Sequence, residues 1–392
     1  MEKVYIISAV RTPLGSFGGV LSELTATQLG SVAISAALKK AKISGDQVDE
    51  VFFGNVVQAN IGQAPARQAA LGGGVSNTAP CTTVNKVCAS GMKSIAFGAQ
   101  AIQLGQANII VAGGMESMSN IPFYVPKARY GYKYGDGILV DGLINDGLLD
   151  AYGKKPMGVY ADETAEEFSI SREEQDNFAI ESYKRAAAAS ENGLFKDEIA
   201  PVEIKDRKGN VTIIDTDEEF KKVSFDKIPQ LKAVFTKEGT VTAANASTIN
   251  DGAAALVLAS EKAVNEFGLK PIGEIIAYGD AAHQPERFTT APVKAAKMLL
   301  NKTGLDKSQI DLWEVNEAFA VVTLAFNKAM DLDNSVVNIN GGAVALGHPL
   351  GASGARIVVT LLHALKQKSK SLGLATLCNG GGGAGVIIIK AL

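Results

Sequence analysis

Histidine and cysteine are the scarcest chemistry-bearing residues in this chain, three of each in 392 residues, beside a single tryptophan. Cys81, Cys88 and Cys378 are too few for a disulfide framework and form no C-x-x-C pair, which predicts free thiols in a reducing compartment, the cytoplasm. Apolar runs long enough to cross a bilayer, about 18 residues, are also missing, so no membrane partner is expected. The start, MEKVYIISAVRTP, carries no basic leader and reads as a first strand, and the last residues, Ile-Lys-Ala-Leu, make no peroxisomal signal. A net charge of -3 supplies no basic field for nucleic acid, so an anionic ligand must be met locally. What is present, 46% hydrophobic and 20% charged residues, suits a well-packed soluble protein of two or three domains or one large one.

The segment LATLCNGGGGAGVIIIKAL contains Gly380, Gly382 and Gly385 in the spacing G-x-G-x-x-G. A dinucleotide turn requires a helix to begin in those glycines and an acid about 20 residues later. Here a β-branched run follows instead, so strand, glycine turn and strand predict a hairpin. The glycines therefore need another purpose.

Displacing the sequence by 262 residues lays KAKISGDQVD (Lys40 to Asp49) over KTGLDKSQID (Lys302 to Asp311). CASGMKSI then answers GASGARIV, and IIVAGG answers ATLCNGG, in the same order. Three ordered correspondences indicate an internal duplication, each half alternating helix and strand in the α/β manner. The expected organisation is residues 1–119 as the N-terminal half of the core, 120–249 as an inserted loop domain, 250–270 as a return to the first half, and 271–392 as the second half. The insertion differs in texture, with an aromatic and basic loop from Phe123 to Tyr134 and a charged stretch around Lys205 to Lys227. Acids are interleaved with those bases, which predicts a solvated face; the aromatic loop suits a protein interface better than stacked bases.

Few residues can carry chemistry. Cys88 lies where an extended stretch gives way to a helix opening on Ala89, Ser90 and Gly91, and a thiol at a helix N-terminus is favoured as thiolate. His348 sits in NGGAVALGHPLGASGAR, where flanking glycines would let an imidazole base approach a substrate. Cys378 ends a strand that the duplication places on the same face as Cys88. Asn316, in WEVNEAFA, is equally suited to hold a water or an oxyanion and to cap the following helix. His363 reads as a helix packing residue and His283 as loop surface.

VNKVCASGMKS, GGMES, NEAFA, GHPLGASGAR and CNGGGGAG, taken together and in this order, resemble the thiolases, and among them the acetyl-CoA C-acetyltransferases, over essentially the whole chain. The resemblance implies an α/β fold, a duplicated αβαβα layered core with an inserted loop domain, assembled as a homodimer or homotetramer. It implies that Cys88 takes the acyl group from acyl-CoA after activation by His348. Cys378 would remove the α proton of a second acetyl-CoA, giving acetoacetyl-CoA and CoA, or the reverse thiolysis. Asn316, through a water, and His348 would hold one oxyanion, and the amides of Cys88 and Gly380 the other. Ser247 would meet the pantetheine, Met157 and Phe319 would narrow the acyl pocket, and Lys222 and Lys227 would lie near the CoA nucleotide. No cofactor and no metal is called for, since the CoA thioesters are substrates; some relatives of the mitochondrial kind bind potassium, which is not inferred for this chain.

Elementary chemistry agrees with that assignment. Joining two thioesters needs a covalent carrier, a base at the α carbon and two anion sites, because charge develops at two carbonyls. A broader-chain 3-ketoacyl-CoA thiolase of fatty-acid β-oxidation is the alternative activity. A ketoacyl synthase would want histidine or asparagine where Cys378 stands, a cysteine hydrolase would leave Cys378 idle, and a lipid-binding or scaffold protein with a dead site would have lost a nucleophile or base.

Overall fold

The computed structural model describes residues 2–392. The longer strands of its main sheet are β1 (Val4–Arg11), β2 (Glu50–Gly54), β3 (Cys81–Val84), β4 (Ile109–Ser117), β5 (Asn250–Ser260), β6 (Gly273–Ala282), β7 (Leu312–Val315), β8 (Leu372–Asn379) and β9 (Gly383–Ala391). The helices that matter for the site are α1 (Ala26–Ala41), α2 (Ser90–Gln103), α3 (Met157–Glu167), α4 (Arg172–Glu191), α5 (Ala291–Thr303), α6 (Ala320–Met330) and α7 (Leu350–Gln367).

Hydrogen bonds join the strands in the order β7-β8-β9-β6-β1-β5-β4-β2-β3. The duplication is visible in that order. In the first half β3 and β2 are parallel, as are β2 and β4, whereas β4 and β5, and β5 and β1, are antiparallel. The second half repeats the pattern: a single parallel bridge from Val337 to Trp313, then β7 and β8 parallel, β8 and β9 antiparallel, β9 and β6 antiparallel. The first strands of the halves, β1 and β6, meet edge to edge through Val4, Tyr5 and Ile6.

Helices α2 and α7 pack on each other and fill the space between the two halves of the sheet, α1 covers the outer face of the first half and α5 that of the second. The result is an α-β-α-β-α stack with a separate apolar cluster at the centre and under each outer helix. Burial on both faces explains strands such as NDGAAALVLAS, which is buried throughout and shows no polar alternation. The central helices touch through bare backbone: a Cβ on Gly91 would lie 2.8 Å from the Ala355 nitrogen. This contact accounts for Ala-Ser-Gly in both repeats.

The halves differ at one connection. Between β8 and β9 the chain turns through Gly380, Gly381 and Gly382, the last two with φ of 81° and 79°, a region that glycine enters without strain. Between β4 and β5, the equivalent strands, it instead makes the long excursion from 118 to 249. Buried Arg11 on β1 ties this excursion down, its Nε donating to Glu198 at 2.6 Å and its two terminal nitrogens to Asp217 at 2.6 and 2.8 Å.

Candidate active site

A cavity of about 720 Å³ opens where the hairpin turn, the approach to α2 and the inserted segment converge. Its wall contains Cys88, His348, Cys378 and Gly380, together with Ser247, Met157, Phe319 and Lys222. Segments from both halves of the core and from the insertion are thus brought to one surface.

Cys88 stands two residues before α2, on a turn closed by bonds from Ala89 N to Lys86 O (3.1 Å) and from Ser90 N to Val87 O (3.0 Å). Val87 takes φ of 48°, an unfavourable value for a β-branched residue, and so the turn that presents the thiol carries strain. The helix dipole does not rule this thiol. Burial pushes Cys88 up to about 12, against the lowering effect of the Gly380 N–H and its own N–H, while the Glu116 carboxylate adds to the rise. This direction opposes the thiolate that a helix N-terminus favours, and burial is its largest cause. Gly380, whose amide was named for an oxyanion, shares the cavity wall with this sulfur.

His348 is 6% exposed and sits before α7. Its backbone N–H donates to Asn250 Oδ1 at 3.0 Å, and Asn250 Nδ2 donates to Gly15 O, fixing the turn to the first half. Gly347, with φ of 117°, leaves room for that asparagine, whose amide a Cβ would meet at 2.4 Å. In the ring, Nδ1 lies 2.6 Å from Ser353 Oγ. Ser353 Oγ also lies 2.8 Å from Pro349 O, and with its proton directed there its oxygen accepts from Nδ1–H. The proton on Nδ1 leaves Nε2 as a bare lone pair, and Nε2 is buried with no partner. Burial, then the nearby Arg356 charge, lowers His348 to about 3, so the imidazole is neutral.

Cys378 is the penultimate residue of β8 and 1% exposed. Burial, then the neighbouring Cys88, raises its thiol well above the ordinary range. It packs with Phe288, Phe319 and Met157. Phe319 meets Phe235 edge to face at 6.1 Å, forming an apolar end to the cavity.

Asn316 lies beside the imidazole on its Nδ1 side and does not itself line the cavity. Its Nδ2 is 3.5 Å from His348 Nδ1, and Arg356 Nη2 donates to its Oδ1 at 3.4 Å. It does not cap the next helix, which starts at Ala320 with Phe319 at the cap. Ser247 is held by its N–H on Ala318 O at 3.0 Å. Lys222 stands at the cavity rim, bonded to Ser16 Oγ at 2.6 Å and to Glu218 at 2.8 Å. Lys227 is exposed and lies outside the wall. His363 is buried on α7, its Nε2 3.1 Å from Ala9 O. His283 departs from the loop-surface expectation: it is half-buried against the hairpin, its backbone N–H donating to Gly382 O at 2.9 Å.

Several supporting residues were not anticipated. Glu116, in GGMES, accepts from Val56 N (2.9 Å), Val57 N (3.3 Å), Asn55 Nδ2 (2.9 Å) and Gly351 N (2.9 Å). It thereby joins the start of α7 to the first half. Ser353 and Arg356 lie in the repeated Ala-Ser-Gly segment, the one signal that could have drawn attention to them. No group of three or more His, Cys, Asp or Glu side chains suited to a metal ion occurs among the described residues, nor is any helix there long and apolar enough to cross a membrane.

Comparison with known proteins agrees with this arrangement. Residues 4–262 match the thiolase N-terminal domain and residues 269–391 the thiolase C-terminal domain. An acetyl-CoA acetyltransferase of Schizosaccharomyces pombe is 56% identical, covering 99% of this chain and 98% of the relative. A probable acetyl-CoA acetyltransferase of Dictyostelium discoideum is 54% identical over 100% of this chain and 95% of its own length. The crystal structure of an Ascaris suum thiolase in complex with coenzyme A superposes with a TM-score of 0.95 at 49% identity, covering all of both chains. With both halves of its core matched in order and its full length shared with these relatives, the chain belongs to the thiolase family.

Proposed function

We propose that the protein is an acetyl-CoA C-acetyltransferase, an acyltransferase that condenses two acetyl-CoA to acetoacetyl-CoA and CoA and runs the reverse thiolysis at the same site. The carrying observation is the meeting of two thiols, Cys88 and Cys378, with the unpartnered Nε2 of His348 on one cavity. Names at 52–56% identity over full length favour this reading over a broad-chain thiolase.

In the first half-reaction Cys88 Sγ attacks the thioester carbon as its proton passes to His348 Nε2. A neutral thiol and a neutral imidazole are the resting partners, so proton transfer accompanies attack. The carbonyl oxygen becomes an anion facing the Gly380 and Cys88 amides, which need no reorganisation to receive it. The C–S bond to CoA breaks and the departing sulfur takes the Cys378 proton, leaving acetyl-Cys88, free CoA and a Cys378 thiolate. In so dry a site that thiolate is a strong base. It removes the α proton of the second acetyl-CoA, whose enolate oxygen is held by protonated His348 and, through a water, by Asn316. The carbanion attacks acetyl-Cys88, a C–C bond forms, the Cys88–carbonyl bond breaks, and Cys88 recovers its proton from His348. The Phe319, Phe235 and Met157 wall suits a short acyl chain, Ser247 the pantetheine, and Lys222 at the rim the nucleotide, with Lys227 further out in solvent. No cofactor enters these steps.

The aromatic and aliphatic side chains Tyr130, Tyr134, Ile138 and Leu139 project into solvent from the insertion. They support assembly as a homotetramer or homodimer through this loop, which sedimentation would test. Free thiols at all three cysteines go with a reducing compartment, and our reading is cytoplasmic. Relatives named as cytosolic and as mitochondrial both occur, so fractionation decides.

The test separates the two thiols. Cys88→Ala is expected to form no acetyl-enzyme from acetyl-CoA, and an acetyl adduct on that variant would overturn the assignment. Cys378→Ala is expected to acetylate yet no longer exchange acetyl-CoA α protons with deuterated water; retained exchange would show that another base acts.

A further inference from the structure

The proposed chemistry demands that Cys88, carried by the first half of the core, be held in register with the Gly380 amide, carried by the hairpin of the second. We infer that Lys86 and Asn379 are a pair of positioning residues that clamp the nucleophile turn to the oxyanion hairpin.

Lys86 belongs to the turn itself: its backbone N–H donates to Ser90 Oγ at 2.8 Å and its carbonyl accepts from Ala89. Its side chain leaves that half altogether. The ammonium donates to Asp280 Oδ1 (2.8 Å), to Asn379 Oδ1 (3.2 Å) and to Ala384 O (3.1 Å), so its three protons are all spent on β6, β8 and β9 of the second half. Asp280 is steadied from the same side by Lys93 of α2, at 2.7 Å on its other oxygen. Two lysines flanking Cys88 in sequence therefore grip one carboxylate across the boundary between the halves.

Asn379 carries the connection to the reacting centre. Its Oδ1 receives Lys86, and its Nδ2 donates to Gly380 O at 2.8 Å. The amide is wedged over Gly383, where a Cβ would stand 2.6 Å from it, so it cannot rotate freely. Lys86 requires the oxygen on its own side, which turns the NH₂ toward Gly380 and sets that residue's backbone. Gly380 packs against the nucleophile turn, where a Cβ on it would stand 3.5 Å from Val87 Cγ1, and both Gly380 and Cys88 line the cavity. The path Lys86, Asn379, Gly380, Cys88 thus closes on itself across the two halves. None of Lys86, Asn379 or Asp280 lies on the cavity wall, so the pair acts on the geometry of the donors and leaves substrate contacts alone.

A purely structural ion pair predicts something different. Lys86 is 25% exposed and Asp280 34%, and pairs so placed contribute at most about 1 kcal/mol. An oxyanion donor moved out of line costs about 100-fold in rate.

The inference rests on the acyl-cysteine reading, and the experiment keeps the two apart. Single-turnover acetylation by acetyl-CoA, followed by quench-flow and mass spectrometry of Cys88, would be measured for wild type, Lys86→Met, Asn379→Ala and the double variant, alongside thermal midpoints and KM. Each single variant is expected to slow acetylation by about 10- to 100-fold, with KM changed less than about twofold. The double variant should be no slower than the worse single, because both break one path. Acetylation of folded Lys86→Met at the wild-type rate, or losses that multiply in the double variant, would overturn the clamp alone. Absence of any Cys88 adduct in wild type would overturn the acyl-cysteine reading, and the clamp with it.

Discussion

Replacing Ser353 by alanine removes the one group that decides which imidazole nitrogen of His348 carries the proton. In the wild type the Ser353 hydroxyl can donate to Pro349 O at 2.8 Å, and its oxygen, 2.6 Å from Nδ1, then accepts from the ring. Without it, Nδ1–H has no acceptor: the remaining neighbour is the Asn316 amide nitrogen, itself a donor, at 3.5 Å. A buried N–H left unpaired costs about 1–3 kcal/mol. The ring can avoid this by moving its proton to Nε2 and accepting from Asn316 at Nδ1, but that tautomer has no lone pair for the Cys88 proton. Either way the active form rises by about 1–3 kcal/mol, which is a roughly 5- to 150-fold slower acetylation. The assay is the single-turnover burst of free CoA from acetyl-CoA, with KM as the control for binding. Acetylation of the folded variant at the wild-type rate would refute the claim that this hydroxyl sets the tautomer.

Two further outcomes follow from burial and close packing. Because His348 is lowered to about 3 in the folded protein, the unfolded chain takes up the extra proton first. The stability this residue contributes is complete above the unfolded value of roughly 6.5 and is lost as pH falls toward the folded value, by on the order of 1 kcal/mol per pH unit. Denaturant titrations of wild type and His348→Asn at pH 7 and pH 5 should show the wild type losing more; parallel losses would contradict a buried neutral imidazole. Gly91→Ala should cost about 1–3 kcal/mol by forcing α2 and α7 apart, since its Cβ would meet Ala355 N at 2.8 Å and Gly351 O at 3.0 Å. An unchanged urea midpoint would show that the helices have slack.

The legible part of the site was carried by local pattern. Cys88, His348 and Cys378 could be picked out because each sits beside small residues at the end of a strand or the start of a helix, and because so few cysteines and histidines compete for the role. Asn316 was left open between two roles, and only the position of the α6 cap separates them. For Cys88 the helix end is a neighbour in sequence, whereas the desolvation that raises its thiol comes from the surrounding fold. The roles of Ser353, Asn250, Glu116 and Lys86 are not legible in the sequence, although Ser353, Glu116 and Lys86 fall inside motifs that are. Their partners lie 5, 98, 235 and 293 residues away, and serine, asparagine, glutamate and lysine at these positions read as ordinary polar residues until the partner is in place.

By itself the sequence determined the repeated α/β units, the apolar strands buried on both faces, the glycine hairpin after Cys378 and the short list of groups able to do chemistry, because each follows from neighbours in the chain and their period. Tertiary structure decided how those groups work. It set Ser353 against the imidazole, raised both thiols and lowered the imidazole by burial, placed Asn316 beside the ring, and spent the ammonium of Lys86 across the boundary between the halves. Desolvation and hydrogen-bond partnership depend on which distant surfaces close over a residue, and that closure belongs to the packed stack as a whole.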